Sequence, residues 1–159
     1  MLSQDSLKFA DIRNYVLERF EDVKTNPSMN KLVKFHTFNK FLFMACSQIE
    51  LNKLGKIVAN QEKLQTKDVL DSYEKHLKNI LSKTPTRSRH ANVLRRMYGH
   101  FNKKIPKSEQ KTIEHLISEY QNNNITLSDM LYKLRTITSD IDNMYVVKQS
   151  YFLLFADKI

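Results

Sequence analysis

Two glycines and three prolines in 159 residues leave this chain little with which to make tight turns. A β-sandwich or barrel of this length needs a tight turn every few residues, and those turns draw on glycine and proline. A doubly wound nucleotide-binding fold needs a glycine-rich loop, which two isolated glycines cannot build. With 41% hydrophobic and 27% charged residues the composition is globular rather than disordered. The chain is therefore predicted to be all-α: a single compact domain over 1–159, with about seven to eight helices around a central apolar one.

Hydrophobic spacing supports that reading. Phe9, Ile12, Val16, Phe20 and Val23 recur at intervals of three and four, predicting an amphipathic helix over 6–23. Over 29–50 the apolar residues, among them Phe35, Phe38, Phe41, Phe43 and Ile49, cover most of a helical circumference, as expected of a buried central helix. Further helices are predicted over 51–61, 66–81, 87–101, 107–120 and from 126. The last starts near Asp140 and carries Tyr145, Tyr151, Phe152 and Leu154.

Several chemistries are excluded or disfavoured. Cys46 is the only cysteine, so one chain forms no disulfide and holds no cysteine-ligated cluster. The five histidines, His36, His76, His90, His100 and His115, show no HxxxH spacing, so no metal or other cofactor is expected. Cys46 with His36 or His90 would be the nucleophile–base pair, but Cys46 lies in an apolar run, as a core thiol does. The longest apolar runs are six residues, against the roughly 20 that span a bilayer. With no signal-like N-terminus, a cytoplasmic protein without membrane contact is expected.

The net charge of +9 is unevenly placed. Residues 75–108 contain no Asp or Glu but ten cations: Lys75, Lys78, Lys83, Arg87, Arg89, Arg95, Arg96, Lys103, Lys104 and Lys107. The other 125 residues are nearly neutral. On a helix, Arg89, Asn92, Arg96, His100 and Lys103 fall within an arc of about 80°, while His90, Leu94, Met97 and Phe101 fall on another. One face packs; the other presents guanidinium and ammonium groups. Such a stripe suits a polyanion, since each phosphate contact releases condensed counterions. A solvated face with no ligand is the alternative. A weaker acid-free span over 23–49 holds Lys24, Lys31, Lys34 and Lys40.

Two histidines are unusual. His36, Lys40 and Ser47 line up on the most apolar helix, where burial is costly without partners. His90 and Asn92 are the expected partners, either in a structural network or in a polar cleft of His36, Lys40, His90 and Asn92. Tyr98 and Tyr151 could stack a base, though helical spacing already accounts for them.

The run Phe35-His36-Thr37-Phe38-Asn39-Lys40-Phe41-Leu42-Phe43-Met44-Ala45-Cys46-Ser47 resembles the signature FHxxHKFLLMAHS of the YbgA-like family. Leu54-Gly55-Lys56-Ile57-Val58-Ala59 resembles its LGxxVA segment. Thr86-Arg87-Ser88-Arg89-His90-Ala91-Asn92-Val93-Leu94, with Gly99 and Phe101, resembles TRxxHxNVLxHxxGYF. Tyr145, Gln149 and Tyr151 resemble YLxxQxYL. In that family the domain stands alone or follows a cysteine-rich iron–sulfur desulfidase domain acting on thiolated uracil or tRNA thiouridine. The resemblance thus implies an RNA-binding helper without the sulfur chemistry. It carries over His36, Lys40, Arg87, His90 and Asn92. Asn39, Cys46 and Arg96 stand where the family pattern has histidines, and His100 replaces a tyrosine.

The expected function is non-catalytic binding of structured RNA, most of all tRNA. Arg87, Arg89, Arg95, Arg96, Lys103 and Lys104 would meet the nucleic acid. Rival readings are a module docking a separate desulfidase through an exposed apolar stretch over 151–156, and a small enzyme using the polar cleft.

Overall fold

In a computed structural model the chain is described over residues 4–139 and 149–156. Among the described residues there are α-helices, one short 3-10 turn and no strand. They divide into two compact units, Met1–Thr84 and Pro85–Ile159.

The first unit contains α1 (Gln4–Lys24), α2 (Met29–Phe38), α3 (Lys40–Cys46), α4 (Gln48–Ala59) and α5 (Thr66–Leu81). α1 buries Phe9, Ile12, Val16, Phe20 and Val23. The stretch predicted as one long helix is three. Asn39 ends α2, its side-chain amide donating to the Phe35 carbonyl at 2.9 Å. Ser47 is extended (φ −169°, ψ 120°) and its hydroxyl accepts from the Glu50 N–H, starting α4. Short polar side chains offer the backbone an alternative to helical bonds, and a continuous apolar pattern conceals that. The expected burial holds for α3, where Phe41 to Cys46 are all inside. It does not hold for Phe38 and Ile49, which the breaks turn outward, Ile49 to 71% exposure.

Tyr73 of α5 is the hub of the first core. It stacks on Phe20 of α1 at 5.7 Å between ring centroids and meets Phe35 of α2 edge-on at 6.1 Å. Phe20 and Phe35 are themselves 5.4 Å apart. Such aromatic contacts add about 0.5–1.5 kcal/mol each beyond area burial.

The second unit contains α6 (Arg87–Phe101), a 3-10 turn (Asn102–Lys104), α7 (Lys107–Gln121), α8 (Leu127–Thr138) and α9 (Ser150–Ala156). α6 packs on α7, α7 on α8, and α8 on α9. Thr86 and Thr126 cap α6 and α8, their hydroxyls accepting from the N–H groups of Arg89 and Asp129. Gln110 donates to the carbonyls of Asn102 and Ile105, fixing the corner between α6 and α7.

Both glycines lie inside helices, Gly55 in α4 and Gly99 in α6. The left-handed backbone positions are taken by Asn26, Asn60, Lys63 and Asn123. Asn123 (φ 65°) follows α7 in a Schellman arrangement: its N–H bonds the Tyr120 carbonyl at 3.0 Å, and the Asn124 N–H bonds Glu119 at 2.8 Å. Asparagine tolerates this region because its short polar side chain bonds locally. That is how the chain turns with so little glycine.

Candidate functional site

α6 sorts its residues as the helical arcs predict. His90, Ala91, Val93, Leu94, Met97 and Phe101 are buried. Arg87, Arg89, Asn92, Arg95, Arg96 and His100 are exposed, as are Lys103 and Lys104 on the following turn. The stripe therefore begins on the helix and ends on the 3-10 turn.

The exposed cations fall into two groups. Arg87 donates to the Tyr120 carbonyl at 2.7 Å and lies over the Tyr120 ring, 4.9 Å from its centroid. Arg95 donates to the Gln121 side-chain oxygen and, at 3.5 Å, to Asn92 Oδ1. Both guanidinium groups thus meet the C-terminal end of α7, where the helix dipole is negative. They are anchored inside the protein. Arg96, Lys103 and Lys104 form no ion pair among the described residues, and Arg89 projects from the same exposed stripe.

Of the remaining cations of the acid-free run, one forms an ion pair among the described residues. Lys78, on α5, lies 3.5 Å from Glu74. Lys24, in the weaker acid-free span, meets Glu74 at 2.9 Å and Glu21 at 3.0 Å, which raises its pKa above the ordinary lysine value. Lys31 donates to the Thr25 carbonyl.

Each unit encloses one histidine bonded to a tyrosine. In the first, His36 Nδ1 lies 3.0 Å from the Tyr73 hydroxyl, with the rings edge-on at 5.9 Å. In the second, His90 Nδ1 lies 2.6 Å from the Tyr151 hydroxyl, and Phe155 meets the His90 ring edge-on at 5.2 Å. Burial pushes both imidazoles down to about 4, helped by the charge of Lys40 beside His36 and of Arg87 beside His90. Both are neutral at pH 7. Burial also raises the Tyr73 hydroxyl well above the ordinary tyrosine value.

The four residues expected to share a polar cleft come from both units. His36 and Lys40 belong to the first unit, His90 and Asn92 to the second. α6 turns His90 inward and Asn92 outward, so these two share no surface. Lys40 opens α3 and is exposed rather than buried. The tyrosine partners lie 37 and 61 residues away along the chain, beyond the reach of helical spacing. Only their aromatic type and inward spacing hinted at them.

A family model described as a protein of unknown function, DUF1722, matches residues 40–155. The chain belongs to the DUF1722 family. It is also 27% identical over 146 residues to the uncharacterized protein YbgA of Escherichia coli (strain K12), covering 91% of this chain and 86% of that protein. No solved structure matches it.

The DUF1722 match includes Lys40, Arg87, His90 and Asn92 but begins after His36. Other residues singled out in this DUF1722 member have structural partners. The Tyr98 hydroxyl donates to Glu114 at 3.1 Å, and Tyr151 is buried on His90. Cys46 is buried. The stretch over 151–156, expected as an exposed docking patch, is turned inward at Tyr151 and half-buried at Leu154 and Phe155. Tyr145 lies outside the described residues. Among the described residues, no cluster of three His, Cys, Asp or Glu could hold a metal ion, and no helix is long and apolar enough to cross a membrane.

Proposed function

We propose that this DUF1722 protein is a non-catalytic module that binds structured RNA, tRNA above all, in the cytoplasm. It does so through the outer face of α6 and the turn after it. The observation that carries this reading is the exposed stripe of Arg89, Arg96, Lys103 and Lys104, on which no described carboxylate forms an ion pair with Arg96, Lys103 or Lys104. Crowded like charges destabilise a folded surface, and a polyanion relieves that repulsion. Arginine forks match phosphate oxygens bidentately, and the entropy of counterion release favours binding.

Arg87 and Arg95 play a supporting part. Anchored on α7, they hold α6 in place while the other cations reach the ligand. Nothing in such a face reads base edges, so binding depends on shape and charge rather than sequence.

The test is tRNA affinity as a function of salt. Four phosphate contacts predict a slope of log K against log salt of about −3 to −4. Arg89→Ala with Arg96→Ala should flatten the slope by about 2 and leave thermal stability almost unchanged. Affinity that ignores salt, or a double variant that binds as the parent does, would overturn the proposal.

A further inference from the structure

The first unit contains a polar group that the α6 reading does not use. We propose that His36 Nε2, together with Lys40, forms a binding site for a phosphate group.

The argument starts from a hydroxyl. Tyr73 is fully buried, and its hydroxyl contacts His36 Nδ1 alone among the described residues. A phenol proton with no acceptor would cost about 1–3 kcal/mol at such depth. The Tyr73 O–H therefore donates and Nδ1 accepts. His36 is neutral at pH 7, so its single ring proton sits on Nε2, which becomes a hydrogen-bond donor.

That donor has no acceptor among the described residues. The buried side-chain atoms left without a partner are Arg13 Nε and Glu50 Oε2, so the unpartnered His36 Nε2 keeps contact with solvent. It looks toward Gly55 of α4: a Cβ built there would stand 4.0 Å from Nε2. The glycine places no side chain of its own there. Without it, a longer residue on α4 would lie against the ring.

Lys40 completes the site. It follows His36 by four residues, across the α2–α3 junction at Asn39, and its charge lies near enough to the imidazole to help lower the His36 pKa. Lys40 is exposed, and among the described residues no carboxylate pairs with it. A neutral N–H beside one ammonium suits a tetrahedral oxyanion: one oxygen takes the N–H, another the charge-assisted bond. The donor is held in orientation by Tyr73, so little ordering is needed on binding. The phosphate could belong to a free mononucleotide or to an RNA backbone; the chemistry is the same. The site stands independently of the α6 stripe.

Long-range proton–nitrogen spectra of the full chain at pH 7 should show His36 protonated at Nε2 and bare at Nδ1. Inorganic phosphate and adenosine 5′-monophosphate should then shift the His36 ring nitrogens saturably. Lys40→Ala, on an exposed side chain, should weaken that binding about tenfold. Gly55→Val, which crowds the approach while leaving His36 and Lys40 in place, should weaken it as well. Arg89→Ala with Arg96→Ala should leave it unchanged, which separates this site from the α6 stripe. A shift with tRNA but not with the mononucleotide assigns the phosphate to an RNA backbone and keeps the site. A proton on Nδ1, ring signals unmoved by phosphate, mononucleotide and tRNA alike, or undiminished binding by Lys40→Ala would overturn it.

Discussion

The two units solve the same polar problem and differ in what they do with charge. Each encloses an imidazole on a tyrosine hydroxyl with a cation nearby: His36, Tyr73 and Lys40 in one, His90, Tyr151 and Arg87 in the other. In the first, three lysines are matched by acids among the described residues, Lys24 and Lys78 by Glu74 and Lys53 by Glu50 at 3.0 Å, while Lys40 is not. In the second, Arg87 and Arg95 of α6 meet carbonyl and amide oxygens, and Arg96 forms no ion pair among the described residues. Net charge is thus a poor guide to where a polyanion would sit. What matters is whether each cation already has an anion beside it.

The sharpest way to test the likeness between the two histidines is acid. Each has a folded pKa of about 4 against an ordinary value near 6.5. Between those values the unfolded chain takes up a proton that the folded chain refuses, so stability falls as pH drops from 6.5 to 4 and levels off below. For each the loss amounts to about 3 kcal/mol at most. His90→Gln cannot be protonated, so urea unfolding at pH 7 and pH 4.5 should differ less in the variant than in the parent. An equal drop in both would show that burial does not hold His90 neutral in the folded chain.

A smaller effect separates anchored from outward-facing arginines. Arg87→Ala removes the bond to the Tyr120 carbonyl and the contact over its ring, and should cost about 2 kcal/mol of stability. Arg96→Ala should cost less than about 0.5 kcal/mol while weakening tRNA binding. Thermal melts with a binding titration check both, and a reversed ranking would break the distinction drawn on α6. Asn123→Ala falls between the two. Alanine lacks the local side-chain bonding that eases a φ of 65°, and should cost about 1 kcal/mol, measured by denaturant midpoint.

The all-α class was legible because it follows from local facts: few turn residues, and apolar spacings of three and four. The two faces of α6 were legible for the same reason, since both arcs lie within fifteen residues. What stayed hidden is long-range. His36 and Tyr73 are 37 residues apart, His90 and Tyr151 are 61, and Arg87 reaches Tyr120 across 33. No periodicity encodes such pairings. The breaks at Asn39 and Ser47 were local, yet an apolar pattern strong enough to imply one helix outweighed two short polar residues. His36 and Lys40 share an apolar stretch in the sequence, yet in the fold only the histidine is partly enclosed and the lysine is exposed.

The asparagines at left-handed positions have an effect that no folded contact displays. A glycine at 26, 60 or 123 would fit the native backbone with less steric resistance. It would also widen the range of shapes open to the chain before folding, and folding would have to reverse that freedom. Asparagine accepts a little discomfort in the native turn and leaves the denatured ensemble narrower. Part of this protein's stability therefore resides in conformations it rarely visits.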